Sequence, residues 1–207
     1  MCYHFHDNFF YFFKRRDTMK KLLFFLGGMV SLYAAREMVQ SRRLADSEYG
    51  THVCPLITAV VNTDGPILEM GCGDYSTPLL HALCSPKKRM LVSTDTDLQW
   101  LSLFLDLENN WHTFYFISEN AWDRIGNDMH WSVVLIDHRP ALRRVVDIER
   151  LRSKTDIFVV HDTELSAAQY YNYETTFSSF KYRYDYKRYA TQTTLLSDRI
   201  DVEQLFS

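Results

Sequence analysis

Residues Pro66–Pro78 read PILEMGCGDYSTP, a short apolar run that meets two glycines and then a polar turn ending in proline. The run Ile67–Met70 has the length and character of a strand covered on both faces. Gly71 and Gly73 let the backbone come close to a ligand, and Thr77 before Pro78 reads as a helix cap followed by the first helical residue. Strand, glycine turn and helix in that order open an α/β unit, and in such sheets ligands gather beyond the carboxyl ends of the strands.

The chain after residue 50 repeats this alternation. Further apolar runs stand at Met90–Ser93, Thr113–Ile117, Ser132–Ile136 and Ile157–Val160. Between them, Pro78–Cys84, Asp97–Glu108 and Ala141–Leu151 carry apolar residues at three-to-four spacing, as in Leu98, Leu101 and Leu105. Near-continuous apolar strands separated by helices predict a parallel sheet with helices on both faces. The last segments, FKYRYDYKRY and TQTTLLSDRIDV, alternate large and charged residues and predict two strands paired antiparallel at a sheet edge. The expected fold is therefore α/β: a Rossmann-like, doubly wound, mostly parallel sheet with an antiparallel C-terminal edge pair.

With 207 residues and 46% hydrophobic content, the chain can bury one substantial core. Its formal net charge of -3 supplies no broad attraction to nucleic acid, and none is expected as a partner. Cys2, Cys54, Cys72 and Cys84 form no CxxC pair, which disfavours a zinc ribbon and a disulfide framework.

Residues 1–45 form an N-terminal extension to a domain at 46–207. Lys20 and Lys21 precede an uncharged run at 22–35, and Met19 reads as a candidate natural start. The run has two readings: a membrane anchor that leaves its N-terminus cytoplasmic, or a buried helix leading into the domain, since it is shorter than the ~20 residues that span a bilayer. The compartment is accordingly cytoplasmic or membrane-anchored.

Glu69, just ahead of the glycines, and Asp95, at the end of the next strand within LVSTDTD, are carboxylates able to accept from an ammonium and from paired hydroxyls. Ser76 stands where a dinucleotide fingerprint asks for its third glycine, which weakens a pyrophosphate ligand. The ordered set Glu69-x-Gly71-x-Gly73, Asp95 and Asp137 resembles the class I S-adenosylmethionine-dependent methyltransferases, over roughly residues 50–200. The resemblance implies that Gly71 and Gly73 cradle the methionine part, with Glu69 supporting the loop. It also implies that Asp95 binds the ribose hydroxyls and that the segment Ser118, Glu119 and Asn120 lies beside the adenine.

Two further motifs, VVLIDHRP and FVVHDTE, are similar to the cation-dependent, catechol-type O-methyltransferases. That likeness implies magnesium on Asp137 and Asp162, Thr163 where the family has asparagine, and His138 near the cofactor. The family's lysine falls at Pro140, which is no base. Arg139, His161 and Glu164 are the candidates in its place; of these His161 has the pKa best suited to proton transfer near neutrality, so His161 with Asp137 is the expected catalytic pair. Asp137 has an alternative as a cofactor-side carboxylate without metal. His81, His112 and His130 read as structural or exposed, without partners at ligand spacing. The tyrosines of the tail read either as a lid over the acceptor or as cover for an edge strand.

The expected function is methyl transfer from S-adenosylmethionine to a small-molecule acceptor, at an oxygen. The alternatives are a catalytically inactive methyltransferase-like binding module and, third, an NAD-dependent oxidoreductase.

Overall fold

The structure, a computed structural model, describes residues 50–207. The extension with Met19 and the run 22–35 lies outside the described residues. Among those described, no helix is long and apolar enough to cross a membrane.

Seven strands form one sheet in the order β3-β2-β1-β4-β5-β7-β6. They are β1 (Ile67–Met70), β2 (Leu91–Asp95), β3 (His112–Phe116), β4 (Trp131–Ile136), β5 (Thr155–His161), β6 (Tyr182–Tyr186) and β7 (Thr193–Ser197). The first five run parallel, and β7 inserts antiparallel between β5 and β6. The strand order reverses direction between β1 and β4, which opens a crevice above their carboxyl ends.

The central strands are apolar on both sides because both faces are covered. On one face Ile67, Leu91, Val133, Leu135, Ile157 and Val159 pack with helices α1 (Val53–Val61) and α2 (Thr77–Cys84). On the other, Leu68, Met70, Val134, Ile136 and Val160 pack with α4 (Arg144–Leu151) and α6 (Tyr173–Ser178), around the fully buried Trp122 and Tyr173. A short α3 (Leu98–Ser102) and α5 (Leu165–Tyr171) complete the helices that matter here.

The expected helix over Asp97–Glu108 is cut short: α3 ends at Ser102 and a 3-10 turn follows at Leu105–Leu107. The three-residue spacing misled because only Leu101 faces the core, while Leu98 and Leu105 stay 58% and 43% exposed. The expected helix over Ala141–Leu151 likewise begins as a 3-10 turn and becomes α-helical only at Arg144. The tail tyrosines follow the edge-strand reading: Tyr182 and Tyr184 pack against the α1/α2 core, and Tyr184 stacks on Phe206 at 4.2 Å.

Candidate active site

Strand register brings the site together. Thr94, Met70, Ile136 and Val160 are neighbours in one row across β2, β1, β4 and β5. The residues just beyond that row are Asp95, Gly71, Asp137 and His161, so four of the expected site residues stand side by side along the carboxyl edge of the sheet.

The glycine turn is held from beneath. Glu69 is fully buried on the α1/α2 face, where Thr77 Oγ1 donates to its Oε1 at 3.0 Å and Ser93 Oγ to its Oε2 at 2.5 Å. The Gly73 amide donates to the same Thr77 hydroxyl at 3.0 Å. Thr77 is thus the first residue of α2 rather than its cap, and its hydroxyl ties the loop to the Glu69 carboxyl. Glu69 faces no open site; it supports the turn, and burial pushes its pKa up to about 7 against the hydrogen bonds from Ser76, Ser93 and Thr77.

Gly71 has φ +97°, and a Cβ there would stand 2.5 Å from the Asp137 carbonyl oxygen. Only glycine lets β1 and β4 close up at this point. Asp95 Oδ2 accepts from the Cys72 amide and its Oδ1 from the Asp97 amide, each at 2.8 Å. Burial raises the Asp95 pKa against these bonds. The Thr96 amide donates to the same carboxylate, and a carboxylate offers about four acceptor sites, so about one remains for a ligand hydroxyl. Asp97 caps α3 by accepting from the Trp100 amide. Ser118, Glu119 and Asn120 follow β3 as exposed residues in a 3-10 turn. The glycine cradle and the remaining acceptor site of Asp95 have the chemistry to meet the methionine and ribose ends of a sulfonium nucleoside.

Beyond β4 and β5 lies a compact charged cluster. Asp137 Oδ2 and Asp162 Oδ1 each stand 3.3 Å from His161 Nδ1. Arg144, at the start of α4, donates to Asp137 Oδ1 at 2.9 Å and to Asp162 Oδ2 at 3.0 Å. It also donates to the carbonyls of His138 and His161, so one guanidinium joins both strand ends. Consecutive strand residues point to opposite faces, yet His161 and Asp162 converge because Asp162 takes a left-handed backbone, φ +57°. Aspartate tolerates that conformation better than most residues. On the other side, His161 Nε2 meets Thr51 Oγ1 at 3.0 Å.

The charges set the protonation. Burial pushes the Asp137 carboxyl up, but the His161 charge and hydrogen bond, with Arg144 behind them, hold it down at about 2. Burial pulls the His161 imidazolium down, and the Asp137 charge and hydrogen bond, then Asp162, outweigh it and leave its pKa raised.

The expected magnesium set does come together, but it does not fit the ion. A guanidinium already lies between the Asp137 and Asp162 carboxylates, their inner oxygens face an imidazole, and Thr163 Oγ1 is paired with Thr194 Oγ1 at 2.9 Å. Magnesium demands near-octahedral oxygen ligation, which this arrangement leaves no room for. His138 turns into the core, with its ring 4.3 Å from Trp122 and Nε2 3.1 Å from Asp147 Oδ2.

Three residues of this region carry no sequence signal. Arg144 looks like a surface residue of an amphipathic helix, and Thr51 and His52 precede the first strand with no motif around them. His81 and His112, read as structural or exposed, lie with their Nδ1 atoms 3.0 Å apart. His130 Nε2 stands 2.7 Å from Asp156 Oδ1. These pairs are tertiary and leave no local mark.

The sheet order with its glycine turn defines a Rossmann-like fold. Solved structures that share it include the METTL16 methyltransferase domain, at 9% identity and TM-score 0.53, with 72% of this chain covering 67% of that one. The N-terminal domain of human METTL16 matches at 12% identity and TM-score 0.52, with 73% of this chain covering 69% of that one. At such identities the likeness speaks for the fold alone. No protein-family model matches the chain, and no curated protein matches it in sequence.

Proposed function

We propose that this chain is an S-adenosylmethionine-dependent methyltransferase acting on an oxygen of a small-molecule acceptor. The observation that carries the reading is the row Asp95, Gly71, Asp137 and His161 on one sheet edge. It sets a nucleoside-binding half, built from β1 and β2, beside a proton-handling half, built from β4 and β5. The methyltransferase domains that share the fold support the same reading.

S-adenosylmethionine, when bound, supplies a sulfonium methyl open to in-line displacement. The chain's own residues do the rest. Asp95 accepts from a ribose hydroxyl, and the Gly71–Gly73 turn lets the backbone approach the methionine part. Asp137 and Asp162 orient the His161 ring and raise its pKa, so the neutral ring, present above that pKa, is the stronger base for the acceptor's proton. Arg144 bridges the two carboxylates and fixes them, and such positioning accounts for much of the rate gain in a displacement of this kind.

Calorimetry with S-adenosylhomocysteine and with NAD tests the ligand, and a labelled methyl-transfer screen tests the acceptor. The nucleoside product should bind, Asp95→Ala should weaken it by roughly 1.5–3 kcal/mol as a charged hydrogen bond is lost, and NAD should not bind. Binding of NAD alone sinks the proposal. Binding without turnover on any acceptor, RNA included, points to a catalytically inactive module, whereas turnover on RNA alone replaces the small-molecule acceptor.

A further inference from the structure

We propose that His52, Asp137 and His161 form a binding site for one borderline divalent transition cation, of which zinc is the type. The proposal rests on ligand geometry and stands apart from methyl transfer.

His52 is 3% exposed, and neither of its ring nitrogens has a hydrogen-bond partner among the described residues. Burying a polar group without a partner is unfavourable, so such a ring calls for a ligand. It sits at the N-terminal end of α1, above the sheet face to which Asp137 and His161 both point. Its ring meets the His161 ring edge-on, centroids 4.7 Å apart at 81°. One ligand atom each from His52, Asp137 and His161 lie within 4.8 Å of one another. Donors sharing a tetrahedral zinc at its usual ~2.1 Å stand roughly 3–4 Å apart. The Asp137–His161 edge, at 3.3 Å, is already there, and a small swing of the His52 ring closes the others.

Two of the three ligands are held from behind, as metal ligands usually are. His161 presents Nδ1 inward, while Nε2 meets the Thr51 hydroxyl. Asp137 presents Oδ2 inward, while Oδ1 accepts from Arg144. Metal binding displaces the His161 Nδ1 proton to solvent; with both imidazoles then neutral, two carboxylates against one guanidinium leave the cluster one negative charge in excess, which a divalent cation more than offsets. Two imidazoles and one carboxylate favour zinc, cobalt, iron or manganese over magnesium. Three protein ligands leave the fourth position to water or to an acceptor oxygen, as in catalytic zinc sites, on the side where Asp137 keeps 26% of its side chain exposed.

The test is calorimetry of the full chain, stripped with chelator, against Zn2+ and Co2+, with Co2+ ligand-field absorption as a second readout. One equivalent should bind and give tetrahedral cobalt bands. His52→Phe, which fills the same buried space without a donor, should weaken binding by more than about a hundredfold, the upper end of what loss of a mere supporting residue costs. His81→Ala, which breaks the other imidazole pair, should leave it unchanged. Zinc should raise the melting temperature of the native protein and not that of His52→Phe; His52→Gln carries the same comparison should the phenylalanine variant not fold. Absence of binding, binding indifferent to both His52 variants, or binding lost in His81→Ala overturns the proposal. None of these readouts depends on S-adenosylhomocysteine, so failure here and failure of the methyltransferase reading are separate results.

Discussion

Arg144 decides the chemistry beyond β4 and β5. Its side chain is 5% exposed and reaches two carboxylates and two backbone carbonyls. A cation at the first residue of a helix opposes the helix dipole, and the carboxylates outweigh that small penalty. Burial lowers the Arg144 pKa, but the charge of Asp137 and then its neighbours raise it, so the guanidinium stays charged. Arg144→Met therefore leaves two carboxylates crowded together without their cation, and we expect a loss of about 3–5 kcal/mol in urea unfolding. Arg144→Lys should recover only part, because an ammonium cannot span both carboxylates as the planar fork does. Full recovery in the lysine variant would mean that charge alone, not bridging, holds the cluster. Glu69, Asp95 and Asp137 are legible in the sequence, since carboxylates at strand ends stand out in an apolar run. Arg144 and His52 are not, because what marks them is burial and proximity, and neither is written in neighbouring residues.

At the scale of elements, the parallel strands are legible because burial on both faces demands unbroken apolar runs. The place of β7 is not. A hairpin at the sheet edge and an insertion of β7 between β5 and β6 ask for the same alternation, and only the pairing of Val160 with Thr194 selects one. The joint between β1 and β4 is the element contact on which the site most depends. Gly71→Ala combines a strained φ of +97° with a Cβ 2.5 Å from one backbone atom and 2.6 Å from the next, none of them able to swing away. A cost of about 2–4 kcal/mol is expected from strain plus overpacking, together with loss of S-adenosylhomocysteine binding as Asp137 is pushed from the row. Gly73→Ala is the control within the same turn. Its Cβ would meet only Ser76 Oγ, at 3.2 Å, and its φ is not positive. Its stability should stay within about 1 kcal/mol of the native protein, so any fall in ligand affinity reports on how closely this part of the turn approaches the ligand. Equal destabilisation by both substitutions would deny Gly71 its special place.

For the whole molecule, the buried titratable groups pull stability in opposite directions with pH. Burial, then the neighbouring His161 charge, hold His52 down at about 3, and burial, then His81, do the same to His112. Each contributes stability above the ordinary histidine value of 6.5 that is lost as pH falls toward 3. Glu69 works the other way: raised from 4.5 to about 7, it contributes stability at low pH that is lost as pH rises across that window. Between about pH 5 and 6 the unfolded chain therefore binds two protons that the folded chain refuses and lacks one that it keeps. The net of one proton gives a stability that rises by roughly 1.4 kcal/mol per pH unit. His161, raised in the folded state, holds its proton in both states there and acts only above 6.5, where stability falls as pH climbs through its folded value. The profile should peak near about pH 6.5. The two directions are physically joined, since Ser93 Oγ lies 2.5 Å from Glu69 Oε2 and 2.9 Å from His112 Nε2. Urea unfolding at about pH 5 and 6 separates them. Glu69→Gln should double the slope to roughly 2.7 kcal/mol per unit, and metal-free His52→Phe should flatten it toward zero. A slope unchanged in Glu69→Gln would mean that its carboxyl ionises as an ordinary surface group does, and the support it lends the glycine turn would then have to come from a charged, not a neutral, side chain.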